Sequence, residues 1–232
     1  ALAGLMTCFV EWNHVGAVGA PFEFNFFERL LLAGRAIWFY LGKLLWPVNL
    51  IFIYPRWKPD TSQWWQWLFP IAVVAMTVVL WAIRKRTRAP LAAWLFFCGT
   101  LLPMLPFLNQ FLFLYTFVSD HFQYVAGPGI IVLVAAGITI GLNRLPASVA
   151  WLRIALPLIL LVTLASLSRH QTKLYANNVA LYTDTLQRNP ACWFAHNNLG
   201  YIAQQSGDYQ AAIAHYQASL TLNPKSAKAY NN

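Results

Sequence analysis

WFAHNNLGYIAQQSGDYQAAIAHYQASLTLNPKS, residues 193–226, is the stretch on which the fold reading turns. Asn189-Pro190 returns as Asn223-Pro224, and Ala195-His196-Asn197-Asn198 returns as Ala229-Tyr230-Asn231-Asn232, both at an offset of 34 residues. Tyr182 meets Tyr216 and Leu186 meets Leu220 at the same offset. The unit reads as two helices joined by a turn. Gly200 and Ala212 are small enough to let the paired helices approach. Gly207 suits a left-handed turn position, Asp208 suits the cap of the second helix, and Pro224 stands beyond its end.

A 34-residue helix-turn-helix period resembles the tetratricopeptide repeat (TPR). Leu199-Gly200, Gly207-Asp208-Tyr209, Ala212, Tyr216 and Pro224 stand where that family places them, while His196 replaces its usual Trp and Ala203 its usual Tyr. Residues 169–232 are therefore expected to form a TPR region, with one complete repeat over about 193–226 and partial repeats on either side. One repeat cannot bury its own apolar face, so a longer array is expected, and such arrays take proteins or peptides as partners. His196, Asn197 and Asn198 read as helix packing and solvated surface, with a ligand role as the alternative.

Working outward, composition changes sharply near residue 168. Across 232 residues, 59% are hydrophobic and only 10% charged, far below the roughly 25% of soluble domains, so much of the chain is expected in lipid. The expected fold is all-α, a polytopic transmembrane helical domain over 1–168 followed by the repeats. Four spans are predicted, at about 64–83, 90–108, 124–142 and 150–167. Trp64, Trp65 and Trp67 form an aromatic belt at one end of the first span; Arg84, Lys85, Arg86 and Arg88 form a cytoplasmic stop at the other. Arg144 and Arg153 extend the same charge bias, whereas 109–123 carries Asp120 and no Lys or Arg. That asymmetry puts 109–123 and everything after 168 on the outer side. The chain opens without Met and closes on AYNN within a repeat, so it is read as a piece of a longer protein.

The run from Leu30 to Tyr54 is apolar enough for a fifth span, yet Glu28, Arg35 and Lys43 recur along one side of a helix over about 29–46, and Pro47 ends it. This predicts an amphipathic helix in the outer interface; a tilted span with snorkelling basic residues is the alternative. The net charge of +9 is a membrane flank, not a nucleic-acid surface. Cys8, Cys98 and Cys192 show no metal-ligand spacing. No catalytic triad, P-loop, HExxH or dinucleotide fingerprint occurs, and no cofactor is legible.

One loop is suggestive. NQFLFLYTFVSDHFQYVAGPG, from Asn109, holds an apolar run too short to span, and then Asp120, His121 and Tyr124 at the mouth of the next helix. Polar groups there suit a lipid-carrier phosphate or an acceptor; a hydrated juxtamembrane turn is the plainer alternative. The order of parts resembles the TPR-bearing GT-C sugar transferases, the TMTC-type O-mannosyltransferase group and its bacterial relatives. The residues carrying it are RLLLAGRAIWFYLGKLLWPVNL with IYPRW, then FVSDHFQYVAGPG, then ALYTDTLQRNP. In that group the middle motif has an acidic residue, a basic residue, Tyr and a Gly, positions taken here by Asp120, His121, Tyr124 and Gly129. The resemblance implies sugar transfer from a polyprenyl-phosphate donor to a protein hydroxyl on the outer side, with the catalytic acidic residue upstream of Ala1. It makes Asp120, His121 and Tyr124 accessory groups, and Arg56 and Lys58 partners for the donor phosphate, with headgroup anchoring as the alternative for those two. A membrane-tethered TPR scaffold in secretion or envelope assembly is the non-enzymatic alternative. A ligase or polymerase of different fold is a third. With no N-x-S/T sequon, a bacterial inner membrane with periplasmic repeats is expected over an endoplasmic reticulum lumen.

Overall fold

The computed structural model describes residues 22–224 and 227–232. The opening apolar run with Cys8, and the last two residues of the repeat, lie outside them. Every regular element among the described residues is helical. The helices are α1 (Phe26–Leu45), α2 (Leu68–Ile83), α3 (Ala89–Leu101), α4 (Gly127–Asn143), α5 (Leu152–Leu174), α6 (Asn178–Arg188), α7 (Trp193–Gln205), α8 (Tyr209–Leu222) and a terminal turn, α9 (Ala227–Asn231). The chain divides into two compact units. One takes in 57–166 together with the residues up to 48; the other takes in 49–56 with 167–232.

In the first unit, α1 starts on a reciprocal cap. Asn25 Oδ1 accepts from the Glu28 amide at 2.9 Å, and Glu28 Oε2 accepts from the Asn25 amide at 2.8 Å. Leu31, Leu32, Ala33, Ala36, Ile37 and Tyr40 make its buried face. The helix presses on α2 where Gly34 meets Pro70, and a Cβ on Gly34 would lie 2.6 Å from the Pro70 nitrogen. The charges on the other side are used locally. The Arg35 guanidinium stacks 4.4 Å over Trp57, and Lys43 Nζ donates to the Val48 carbonyl at 2.7 Å.

Arg29 ties the start of α1 to a distant loop. Its guanidinium donates to the carbonyls of Phe22, Phe24 and Pro106 at 2.9–3.0 Å and to Asn109 Oδ1 at 2.9 Å. α3 and α4 meet through another missing side chain, Gly129, whose Cβ would lie 2.9 Å from the Phe96 ring. Trp94 Nε1 joins α3 to α2 through Thr77 Oγ1 at 2.8 Å.

Among the described residues, two helical stretches are long and apolar enough to cross a membrane, Trp64–Ile83 and Ala147–Leu174. The other two apolar helices are shorter than the predicted spans. α3 gives way at Leu102 to a 3-10 turn, because Pro103 has no amide hydrogen to continue the ladder. α4 begins at Gly127, since 120–123 form a separate 3-10 turn. α5 runs past residue 167 to Leu174 and leaves Ile154, Leu158, Leu161 and Val162 exposed, as α2 leaves Ile71, Val74 and Val78.

The second unit joins the repeat helices to an extended strap, 49–56. Ile51, Ile53 and Tyr54 of the strap are buried, and Phe52 sets its ring edge-on to Tyr175 and Tyr182, both at 6.2 Å. Strap carbonyls are satisfied by repeat side chains: Leu50 O accepts from Arg188 at 3.1 Å, and Ile53 O accepts from Asn189 Nδ2 at 3.2 Å. Lone repeat helices expose an apolar flank, and the strap covers part of it.

Candidate functional site

The repeat is built as its residue pattern requires. A Cβ on Gly200 would strike the Tyr216 ring at 2.7 Å, so α7 and α8 close only because position 200 carries none. Gly207 has φ +82°, where L side chains are strained, and Asp208 Oδ1 caps α8 by accepting from the Ala211 amide at 3.0 Å. Leu199, Ala212 and Tyr216 are buried, whereas Tyr209 and Pro224 stay exposed. Tyr216 keeps its hydroxyl satisfied by donating to Gln204 Oε1 at 2.9 Å, and Ser219 Oγ donates to the Trp193 carbonyl at 3.0 Å. A cavity of about 570 Å³, lined by Val179, Thr183, Leu186, Leu199, Ile202 and His215, opens among α6, α7 and α8.

Sequence reasoning grouped His196, Asn197 and Asn198 as packing and surface. The structure separates them. Asn198 Nδ2 donates back to the Phe194 carbonyl at 2.7 Å. Asn197 is 7% exposed, and its Oδ1 has no hydrogen-bond donor. His196 faces His215 on α8, Nδ1 to Nδ1 at 3.1 Å. Burial first, and the His215 charge second, lower the pKa of His196 below the ordinary imidazole value, opposed by a hydrogen bond with the Pro190 carbonyl.

The loop in the first unit is held from beneath. Phe113, Phe117 and Val118 are buried, and Thr116 Oγ1 donates to the Val118 carbonyl at 2.8 Å. The fully buried Tyr40 of α1 accepts from the Ser119 amide through its hydroxyl at 3.1 Å. Asp120 to Gln123 then form one 3-10 turn. Ser119 Oγ and His121 Nδ1 lie 2.9 Å apart, and the His121 ring stands edge-on to Phe122 at 4.7 Å. Asp120 is half-buried and acts electrostatically on the Tyr40 phenol. Tyr124 projects outward, 73% exposed. Gly129 has a packing role against Phe96, as described above.

Arg56 belongs to the second unit and Lys58 to the first, so the two candidate phosphate partners are divided between the bodies. Arg56 is half-buried, and burial lowers its pKa from the usual guanidinium value. Gln66 Nε2 donates to the Lys58 carbonyl at 3.4 Å.

Gln123 was missed. It lies inside DHFQY, 8% exposed, with an Oε1 that receives no hydrogen bond. Its signal in sequence was only a polar residue among aromatics, which does not distinguish a buried amide from a wet one. Among the described residues no group of three or more His, Cys, Asp or Glu converges on a metal-sized point.

Residues 193–226 match the family model of the tetratricopeptide repeat. No match is found among curated proteins or among solved structures. The region around α7 and α8 is a TPR, and a protein partner is the kind of ligand such a repeat takes.

Proposed function

We propose that the chain is part of a polytopic membrane glycosyltransferase, moving a sugar from a polyprenyl-phosphate donor to a protein recruited by the TPR array. The supporting observation is the pinned turn at 119–123. It carries a buried amide oxygen, Gln123 Oε1, that lacks a donor within the protein. An unmet buried acceptor costs about 1–3 kcal/mol, and a sugar hydroxyl or carrier-bound water can meet it. Asp120 and His121 stand on the same turn, ready to orient a hydroxyl, and Lys58, in the same unit, supplies a cation for the donor phosphate. The exposed apolar sides of α2, α4 and α5 suit lipid, the charge asymmetry favours the repeats on the outer side, and the lack of an N-x-S/T sequon favours a bacterial periplasm.

The test is sugar transfer by the full-length protein carrying Asp120→Asn, His121→Ala or Gln123→Leu. Each should lower turnover about tenfold or more, the usual scale for a positioned polar group. Turnover equal to wild type in all three would remove the site. The second reading, a membrane-tethered scaffold without chemistry, draws on the strap that fastens 49–56 to the repeat helices. It expects function to survive exchange of the apolar helices for an unrelated anchor.

A further inference from the structure

A donor phosphate calls for more than one cation, and Lys58 is a single exposed one. Its companion in the first unit is Arg35. Two rings from separate segments hold the Arg35 guanidinium: Trp57, the chain neighbour of Lys58, at 4.4 Å, and Phe69, in the first turn of α2, at 5.9 Å. Trp57 is braced in turn by the Phe39 ring of α1, edge-on at 5.7 Å. Trp38 Nε1 fixes the start of α2 by donating to the Phe69 carbonyl at 3.0 Å. The cation is therefore placed before any ligand arrives.

Other half-buried cations of this unit spend their N–H groups on protein oxygens. Arg29 donates to four carbonyls and Asn109, Lys43 to the Val48 carbonyl, and Arg84 to the Trp81 carbonyl. Arg35 does not. Among the described residues it makes no hydrogen bond and no ion pair, and none of its nitrogens is sealed from the surface. An aromatic face meets the charge of a guanidinium but accepts nothing from its five in-plane N–H groups. The first turn of α2 holds no acidic residue, and the Asp60 carboxylate is taken by Ser62, whose amide and hydroxyl donate to it at 2.9 and 2.6 Å. A fixed guanidinium with an unused fork and no counter-charge matches the bidentate geometry of a phosphate.

We infer that Arg35, oriented by Trp57 and Phe69 and accompanied by Lys58, grips the phosphate group of a lipid-linked ligand. The lipid in this assignment rests on the donor reading above; the phosphate rests on the geometry of Arg35 itself.

The full chain, purified in dodecyl maltoside, is titrated with dodecyl phosphate and separately with inorganic phosphate, and binding is read from phosphorus NMR against protein-free micelles. Arg35→Gln should weaken dodecyl phosphate binding about 10–100-fold, the scale of hydrogen bonds to a charged group. Arg35→Lys keeps the charge but loses the fork, and should recover only part of the affinity. Arg86→Gln removes the same charge at the far end of α2 and should change nothing. Unaltered binding in Arg35→Gln overturns the site, and equal affinity for inorganic phosphate overturns its lipid ligand. Should Arg35→Gln lose its helical signal, the wild-type chain decides. Dodecyl phosphate must then slow phenylglyoxal modification of Arg35 but not of Arg86; equal modification with and without it refutes the site. Sugar transfer is scored apart from binding. A chain that binds dodecyl phosphate through Arg35 yet transfers no sugar keeps the site and loses the transferase; transfer that Arg35→Gln leaves unchanged keeps the transferase and loses the site.

Discussion

At the residue scale, the repeat depends on atoms that are absent as much as on those present. A valine at position 200 would push its Cβ into the Tyr216 ring, which cannot retreat without giving up its hydrogen bond to Gln204. Gly200→Val should therefore cost several kcal/mol, read as a lower melting temperature for the repeat, and Gly207→Ala about 1–2 kcal/mol for its left-handed backbone. Removing the cap with Asp208→Ala should cost about 1 kcal/mol, while Asp208→Asn should restore most of it. His196 sets a pH dependence. Its folded pKa lies below the unfolded value near 6.5, so the unfolded chain binds more protons in the interval between them. Stability is intact above that interval, falls as pH drops through it and levels off below the folded value. His196→Gln should flatten the decline of melting temperature measured from pH 7.5 to 5.

At the element scale, α1 and the strap show how contacts decide what polarity alone leaves open. The charges of α1 read as one wet side of an interfacial helix, yet each is spent locally: Glu28 in a cap, Arg35 on Trp57, Lys43 on the Val48 carbonyl. The strap behaves as part of the repeat unit although more than 100 residues of chain separate it from α5's end. Phe52→Ala removes the ring between Tyr175 and Tyr182, and Asn189→Ala strands the Ile53 carbonyl. Either change should speed amide hydrogen exchange in α6 and in 49–56 together, with α8 unaffected. Faster exchange in the strap alone would mean that it does not support the repeat.

At the scale of the whole molecule, the proposal requires the 119–123 turn and the repeats to share one compartment, opposite Arg84–Arg88. Cys192 is a poor reporter because its thiol is buried. Cysteines placed at Ser206 and Thr87, both exposed, should react with a membrane-impermeant thiol reagent from opposite sides. Labelling of both from the same side would overturn the topology and, with it, the recruitment of acceptor on the loop's side of the membrane.

The repeat was legible in sequence because its determinants are local and periodic. Gly200, Gly207, Asp208 and Tyr216 act within one hairpin, so a fixed spacing carries their geometry. The ends of the apolar helices depart from the apolar runs in the sequence: α3 stops at Leu101 before Pro103, the 120–123 turn delays α4 to Gly127, and α5 continues to Leu174. The strap's docking, the pinning of Ser119 by Tyr40, the orphan oxygen of Gln123 and the His196–His215 pair were decided only by tertiary structure. Each joins groups that have no fixed separation along the chain, or turns on whether a polar atom finds a partner, and neither property leaves a period that residue order alone can display.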